Sequence, residues 1–266
     1  MLSLILDHHS LVRLLAFLSV VLLIAVWEVL KPRRTLSVSK GLRWVNNWLL
    51  SALNSLLLPL VFPLMAVGVA LLAQEREWGL FNIIGLSQFI AIPLFILLFD
   101  LAIYWQHRLF HLVPCLWRLH RVHHADPDFD VSTGIRFHPV SIILSMLIKM
   151  AVVVVIGPPA IAVLLAEIIL NLTSMFNHGN IGIPSKVDAV LRLFLVTPDM
   201  HRVHHSCVPE ETNSNFGFNF PWWDRLFGSY RAQPAKGHTG MEIGIKGLRE
   251  IEQQRLDRLL LQPLGR

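Results

Sequence analysis

The stretch Ile83–His124 reads IIGLSQFIAIPLFILLFDLAIYWQHRLFHLVPCLWRLHRVHH. Its first half, to Tyr104, is apolar and approaches the roughly 20 residues that a helix needs to cross a bilayer core. Its second half changes character. His107 and His111 stand four apart, and His120, His123 and His124 follow at i, i+3 and i+4. An apolar span that delivers histidines to a membrane boundary decides how the rest of the chain is read.

Three further apolar regions flank this stretch. The first runs from Leu11 to Leu30. The second runs from Leu49 to Ala73, and its Pro59 and Pro63 predict a kink. The last, Val140 to Phe176, is interrupted by Gly157, Pro158 and Pro159. It reads as two short helices joined by a tight break, either a full hairpin or a re-entrant one. Composition agrees: 54% of the 266 residues are hydrophobic and 15% charged, against about 25% charged in ordinary soluble domains. The expected fold is all-α: an integral membrane helical bundle of about three spans plus a helical hairpin, with a cytoplasmic histidine-rich helical cap. The expected division is an N-terminal transmembrane region over 1–82, a catalytic domain over 83–231 containing the hairpin 140–176, and a cytoplasmic tail over 232–266. Lys246 to Leu261 predicts a short surface helix without chemistry.

Basic residues orient the spans. Lys31, Arg33, Arg34, Lys40 and Arg43 lie between the first two with no acid among them, so that segment faces the cytoplasm. Glu75, Arg76 and Glu77 then face outside, and the third span returns inward, ending near Trp105. The hairpin leaves and returns, so every histidine group falls on one face of the membrane. No small-residue cleavage site follows the first span, which is therefore expected to be retained rather than removed as a signal peptide. The net charge of +5 sits beside apolar segments rather than among exposed aromatics, which argues against nucleic acid as a partner. Cys115 and Cys207 have no metal-ligand spacing and read as free thiols.

Eight of thirteen histidines form three groups: His107 and His111; His120, His123 and His124; and His201, His204 and His205. The last two groups both read HRVHH. Residues at i, i+3 and i+4 share a helix face, so their imidazoles can converge on one metal or divide between two. His138 and His178 lie at the two feet of the hairpin; His178 is the favoured ligand of the pair. His8, His9 and His238 lie outside this geometry. Structural zinc uses four ligands and catalytic zinc three, so the number of histidines calls for two metals. Imidazole suits iron, and HExxH, the metalloprotease motif, is absent. Two iron ions are the expected cofactor, with zinc as a substitute in purified protein. Asp126, Asp128, Asp130 and Asp199, with Asn177 and Asn180, are candidates to orient imidazoles from behind; helix capping or loop solvation is the plainer reading for Asp128 and Asp130. Trp105, Phe110, Trp117, Trp222 and Trp223 read as bilayer anchors or, more sharply, as the lining of a lipid access groove. Arg108, Arg118 and Arg202 read as headgroup contacts or, more plainly, as partners of acids.

The order H-x3-H, H-x2-H-H, His-Pro at 138–139, a lone His178, then H-x2-H-H resembles the fatty acid hydroxylase superfamily, which includes sterol desaturases and C4-methyl sterol oxidases. The resemblance covers roughly residues 95–231. It extends to Thr197-Pro198-Asp199-Met200, Asn215-Phe216-Gly217-Phe218 and Trp223-Asp224-Arg225-Leu226-Phe227-Gly228-Ser229-Tyr230, with Ser229 where threonine is commoner. It implies that His107, His111, His120, His123, His124, His178, His201, His204 and His205 bind a di-iron centre, with His138 as a tenth candidate. It also implies an oxygen-dependent lipid hydroxylase or desaturase, in which rebound gives a hydroxyl and a second hydrogen abstraction a double bond. No haem or flavin motif appears, so the resemblance implies a separate electron donor: a ferredoxin, or a cytochrome b-type protein with its reductase. The alternative from another class is a membrane metal-binding or transport protein. Transporters place ionisable ligands inside their spans, and here Glu167 and Asp100 are the exceptions among apolar residues. A scaffold with a decayed site ranks last, because all three histidine groups are intact.

Overall fold

The computed structural model describes Leu6 and residues 8–265 and is built of helices, with no strand among the described residues. The principal helices are α1 (His9–Leu30), α2 (Lys40–Val61), α3 (Ala66–Glu75), α4 (Gln88–Leu112), α5 (Pro114–His124), α6 (Pro139–Ile156), α7 (Ala160–Asn177), α8 (Ser185–Leu191), α9 (Pro198–His204) and α10 (Leu256–Leu261). Among the described residues, five helical segments are long and apolar enough to cross a membrane; the second runs from Lys40 to Ile83 through the break between α2 and α3.

That break is where a kink was expected. Pro59 is accommodated inside α2, whereas Pro63 ends it. A residue before proline is pushed out of the helical region, and Phe62 is extended at φ −120° and ψ 100°. The span toward Trp105 differs more. It starts later, at Gln88, and α4 runs on to Leu112, because nothing stops the helix before Pro114. Val113 is extended, and Pro114 opens α5 as its first residue. His107 and His111 thereby stay on one continuous helix.

The hairpin forms around Gly157, which caps α6 at φ +67°. Its backbone lies against Trp78 and Gly79: a Cβ on Gly157 would stand 2.3 Å from the Trp78 carbonyl oxygen. The two arms splay, however. α6 packs on α2, α3 and α4, while α7 packs on α1, α3 and α4. The core shared by α3, α4, α6 and α7 holds Ala66, Ala70, Ala91, Ala160, Ala162 and Ala166 beside Phe95 and Phe99. Lipid is as apolar as leucine, so helices in a bilayer associate through close packing of small residues. Leu11, Leu14, Leu15, Leu18 and Leu22 of α1 stay exposed.

At the other end, buried polar groups tie the elements together. Arg43 of α2 donates to Asp126 at 2.6 and 3.0 Å and to Asp130 at 2.9 Å. Glu28 of α1 accepts from the backbone N–H groups of Val131 and Asn180 at 2.7 and 2.9 Å. The tail departs from the expected surface helix. Within Lys246–Leu261 only Leu256–Leu261 is α-helical, and it tucks inward, with Leu259 buried against Leu50 and Val122. Asn46 accepts from the Leu256 N–H at 2.7 Å. The count of ionisable residues within the spans is also corrected: Arg13, Glu28 and Lys149 lie inside the expected spans besides Asp100 and Glu167, and the helices as formed add Lys40, Arg43, Glu75 and Arg108.

Candidate metal centre

Four helices converge on the histidine end. α4 brings His107 and His111, α5 brings His120, His123 and His124, the end of α7 brings His178, and α9 with the residue after it brings His201, His204 and His205. All nine are buried. They form two groups whose ligand nitrogens lie within 4.8 Å of one another: His107, His111, His120, His124 and His204, and separately His123, His178, His201 and His205.

The division follows from helix geometry. At about 100° per residue, i and i+4 are close in angle while i+3 falls on the other flank. Both HRVHH motifs split this way. His120 and His124 go to the five-histidine group and His123 to the four-histidine group. His201 and His205 go to the four-histidine group and His204 to the five. Two facing helices thus exchange one histidine each, and identical motifs serve both groups.

The spacing fits metal ions. Nε2 atoms of His204 and His107 are 3.0 Å apart, those of His107 and His120 3.1 Å, and those of His111 and His124 3.1 Å. In the other group, His178 stands 3.2 Å from both His123 and His201. Two nitrogens about 2.1 Å from one ion and about 90° apart would be separated by about 3.0 Å. The tautomers fit too. Nδ1 of His107 donates to the Phe216 carbonyl at 2.9 Å, His178 to Ser174 at 2.8 Å and His204 to Ser214 at 2.7 Å. A carbonyl only accepts, so in each ring the proton is on Nδ1 and Nε2 is free to bind a metal. Burial holds His120, His123, His124, His201, His204 and His205 well below the ordinary histidine range, reinforced by neighbouring imidazoles. Burial lowers His178 to about 4 against the opposing pull of the Ser174 carbonyl. The neutral form is the one that coordinates.

The expected orienting groups are placed otherwise. Asp126 serves Arg43 and Thr133, and Asp128 accepts from Ser37 and Val38. Asp130 caps the 3-10 helix Val131–Ile135, as the plainer reading had it. Asp199 pairs with Arg33 and Arg202. Asn177 donates to the Phe218 carbonyl, and Asn180 bonds the backbone of Arg34. In place of these groups, backbone carbonyls orient three of the rings. The loop carrying one of them is held from behind: Asp224 accepts from the N–H groups of Phe216 and Gly217 at 2.8 and 2.7 Å, and from Ser229 Oγ at 2.7 Å. A Cβ on Gly217 would stand 2.6 Å from Asp224 Oδ2. The Asn215–Phe218 and Trp223–Tyr230 motifs are therefore one device that aims His107.

His138 is not brought to either group. Its Nδ1 accepts from the Val140 N–H at 3.2 Å as the cap of α6, and its Nε2 donates to the Leu260 carbonyl at 3.3 Å. Among the aromatics, Trp105 and Trp222 are exposed, Trp117 packs on His111 with ring centroids 4.8 Å apart, and Trp223 donates to Asp100 at 2.8 Å. Arg202 pairs with an acid, Arg108 donates to the Tyr104 hydroxyl and Arg118 to the Gly265 carbonyl. Cys115 and Cys207 are free thiols.

Two cavities reach the histidines. One, about 320 Å³, touches His107, His120, His123 and His201 and runs between the splayed arms α6 and α7, past Phe110, to Lys149. The other, about 360 Å³, reaches His111 and His124 beside Trp117, Cys207 and Lys246.

Comparison with known proteins comes to the same region. Residues 92–229, just over half of the chain, match the family described as fatty acid hydroxylase. Ornithine lipid hydroxylase of Rhizobium tropici is 30% identical over 148 residues, which cover 56% of this chain and 43% of that protein. Alkylglycerol monooxygenase of Homo sapiens is 29% identical over 160 residues, covering 58% and 34%. Lathosterol oxidase of Homo sapiens is 27% identical over 158 residues, covering 59% and 48%. The chain thus spans less than half the length of these relatives. No solved structure matches.

Proposed function

The chain belongs to the fatty acid hydroxylase family, and from that premise we propose that it is a membrane-bound oxidoreductase that uses dioxygen at two histidine-held irons to hydroxylate or desaturate a lipid C–H bond. The observation that carries this reading is the pair of buried histidine groups, five and four, opening onto one cavity between membrane-spanning helices. The donor set supports iron: nine neutral imidazoles without thiolate exceed what one zinc takes. Bound there, two ferrous ions would supply the reduction of dioxygen and the oxidising power to remove hydrogen from an unactivated carbon.

The chain's own residues supply position and dryness. The carbonyls of Phe216, Ser174 and Ser214 keep three imidazoles in the coordinating tautomer. Phe110, Ile103, Leu170 and Met175 line the cavity and hold a chain beside His107 and His201 while excluding water. The relatives' names concern three different lipids, which supports a lipid substrate without choosing among them. We place the histidine end on the cytoplasmic side, because Arg33, Arg34 and Arg43 are bonded into that end. A separate electron donor docks there. Trp117, packed on His111 and lining the second cavity near Lys246, supports that side as its approach.

Lipidomics of a host expressing the protein or its His204→Ala variant tests the reading. The expected outcome is a lipid that gains one oxygen or loses two hydrogens with the wild type, and falls by about a hundredfold or more in the variant. A product that persists unchanged in the variant would overturn the catalytic claim, and an active purified protein without iron would overturn the metal assignment.

A further inference from the structure

The cavity beside the histidines is more polar than a bare hydrocarbon chain requires. Ser51, Asn54, Gln106, Ser145, Asn171 and Lys149 all line it. Among the described residues that line it, Lys149 is the one lysine, and no arginine or carboxylate joins it. It lies eight residues beyond Ser141 on the same helix, about 12 Å further along at 1.5 Å per residue. That puts it near the middle of α6, which is itself only 18 residues long. A charged residue at such depth is costly, and where it is kept it marks a function with a partner.

Among the described residues, the partner is not supplied in full. Glu167 of α7 and Arg13 of α1 are the charged groups acting on Lys149. Glu167 is already bound to Arg13, 3.0 Å away. Two cations and one carboxylate leave one positive charge over, and it faces the cavity. Nearby polar groups are uncommitted as well: among the described residues, neither Lys149 Nζ nor the Asn171 amide makes a side-chain hydrogen bond, while Gln106 and Ser145 are paired to each other at 3.0 Å. The splayed arms α6 and α7 leave this end of the cavity between helices rather than sealed by their contact.

We propose that Lys149 is a specificity-determining residue that binds an anionic oxygen group, carboxylate or phosphate, of an amphiphilic substrate, with the substrate's chain extending from Lys149 toward His107 and His201. This inference rests on the lipid-oxidase reading of the same cavity. The charge left over at Lys149 selects the anion, and Asn171 adds an amide donor. Length then selects the carbon: the bond that meets the histidines is fixed by its distance from the anionic group, not by its distance from the methyl end.

Equilibrium binding of radiolabelled oleate, oleyl phosphate and oleyl alcohol to purified protein in nanodiscs, corrected by empty nanodiscs, tests this. The wild type is expected to hold at least one of the two anions about tenfold or more tighter than the alcohol, since an ion pair away from water is strong. Which anion wins identifies carboxylate or phosphate. Lys149→Met and Lys149→Gln should bring all three ligands to within about twofold, and Lys149→Arg should keep the preference. A wild type that does not distinguish the ligands, or neutral variants that still prefer the anion, would overturn the proposal. Metal content and lipid product are measured on the same preparations. Protein with two irons and product but no preference loses this inference alone. Protein without iron or product, but with a preference that depends on Lys149, loses the oxidase reading alone.

Discussion

At the scale of single residues, the metal centre combines side chains that can bind with backbone groups that aim them. The H-x3-H and H-x2-H-H spacings announce themselves because helix periodicity and imidazole chemistry are both written in side chains. The groups that aim the rings are the carbonyls of Phe216, Ser174 and Ser214, and a carbonyl has no side-chain signature. Acids close in sequence to the histidines drew the orienting role and turned out to serve Arg43, Arg33 and backbone N–H groups. Asp224 is the acid that matters for aim, and it acts through two backbone N–H groups. Asp224→Asn would set an amide N–H against one of those donors. The expected result is a loss of about 1–3 kcal/mol of stability and a roughly 10- to 100-fold weaker hold on metal at the five-histidine group. Chemical denaturation and metal titration of the variant measure both, and an unchanged metal affinity would contradict this role for the loop.

The same residues set a pH dependence. His178 is lowered by burial from 6.5 to about 4, so in the folded chain it stays neutral where an unfolded chain would take up a proton. The sign follows: stability from this group is complete above pH 6.5 and is lost as pH falls toward 4. Metal-free protein in detergent should therefore resist denaturant better at neutral pH than at a pH between those values. Equal or greater resistance at the lower pH would contradict the buried neutral histidines.

At the scale of elements, the number of helices was readable and their ends were less so. Hydropathy finds apolar runs, whereas helix ends depend on where a proline or a left-handed residue falls. Pro63 and Pro114 set two of them. Extending α4 to Leu112 is what lets His107 and His111 share a helix. The splay of α6 from α7 left no mark on the sequence, because it is decided by α3 and α4 packing between the arms. The hairpin tip is held by the approach of Gly157 to Trp78 and Gly79. Gly157→Ala would place a methyl against backbone at a positive φ, with an expected cost of about 1–3 kcal/mol or more. Thermal melts in detergent should show a lower Tm. A variant as stable as the wild type would mean that the tip is free to move away from α3.

At the scale of the whole molecule, the apolar bundle and the polar end divide the work. Alanine-rich packing holds the spans together, and buried ion pairs such as Arg43 with Asp126 and Asp130 fix the histidine end. Lys149 escaped the sequence reading because one lysine barely lowers the hydropathy of an 18-residue helix; its meaning appears only when α7 brings Glu167 near it. The paired use of one motif makes the molecule's central claim countable. Iron per chain, measured by elemental analysis of anaerobically reconstituted protein, is the most direct test. Two groups of five and four histidines predict two irons per chain. His111→Ala with His124→Ala should leave about one, held by His123, His178, His201 and His205, because the two groups share no ligand. A wild type that saturates at one iron, or binds none, would contradict the account.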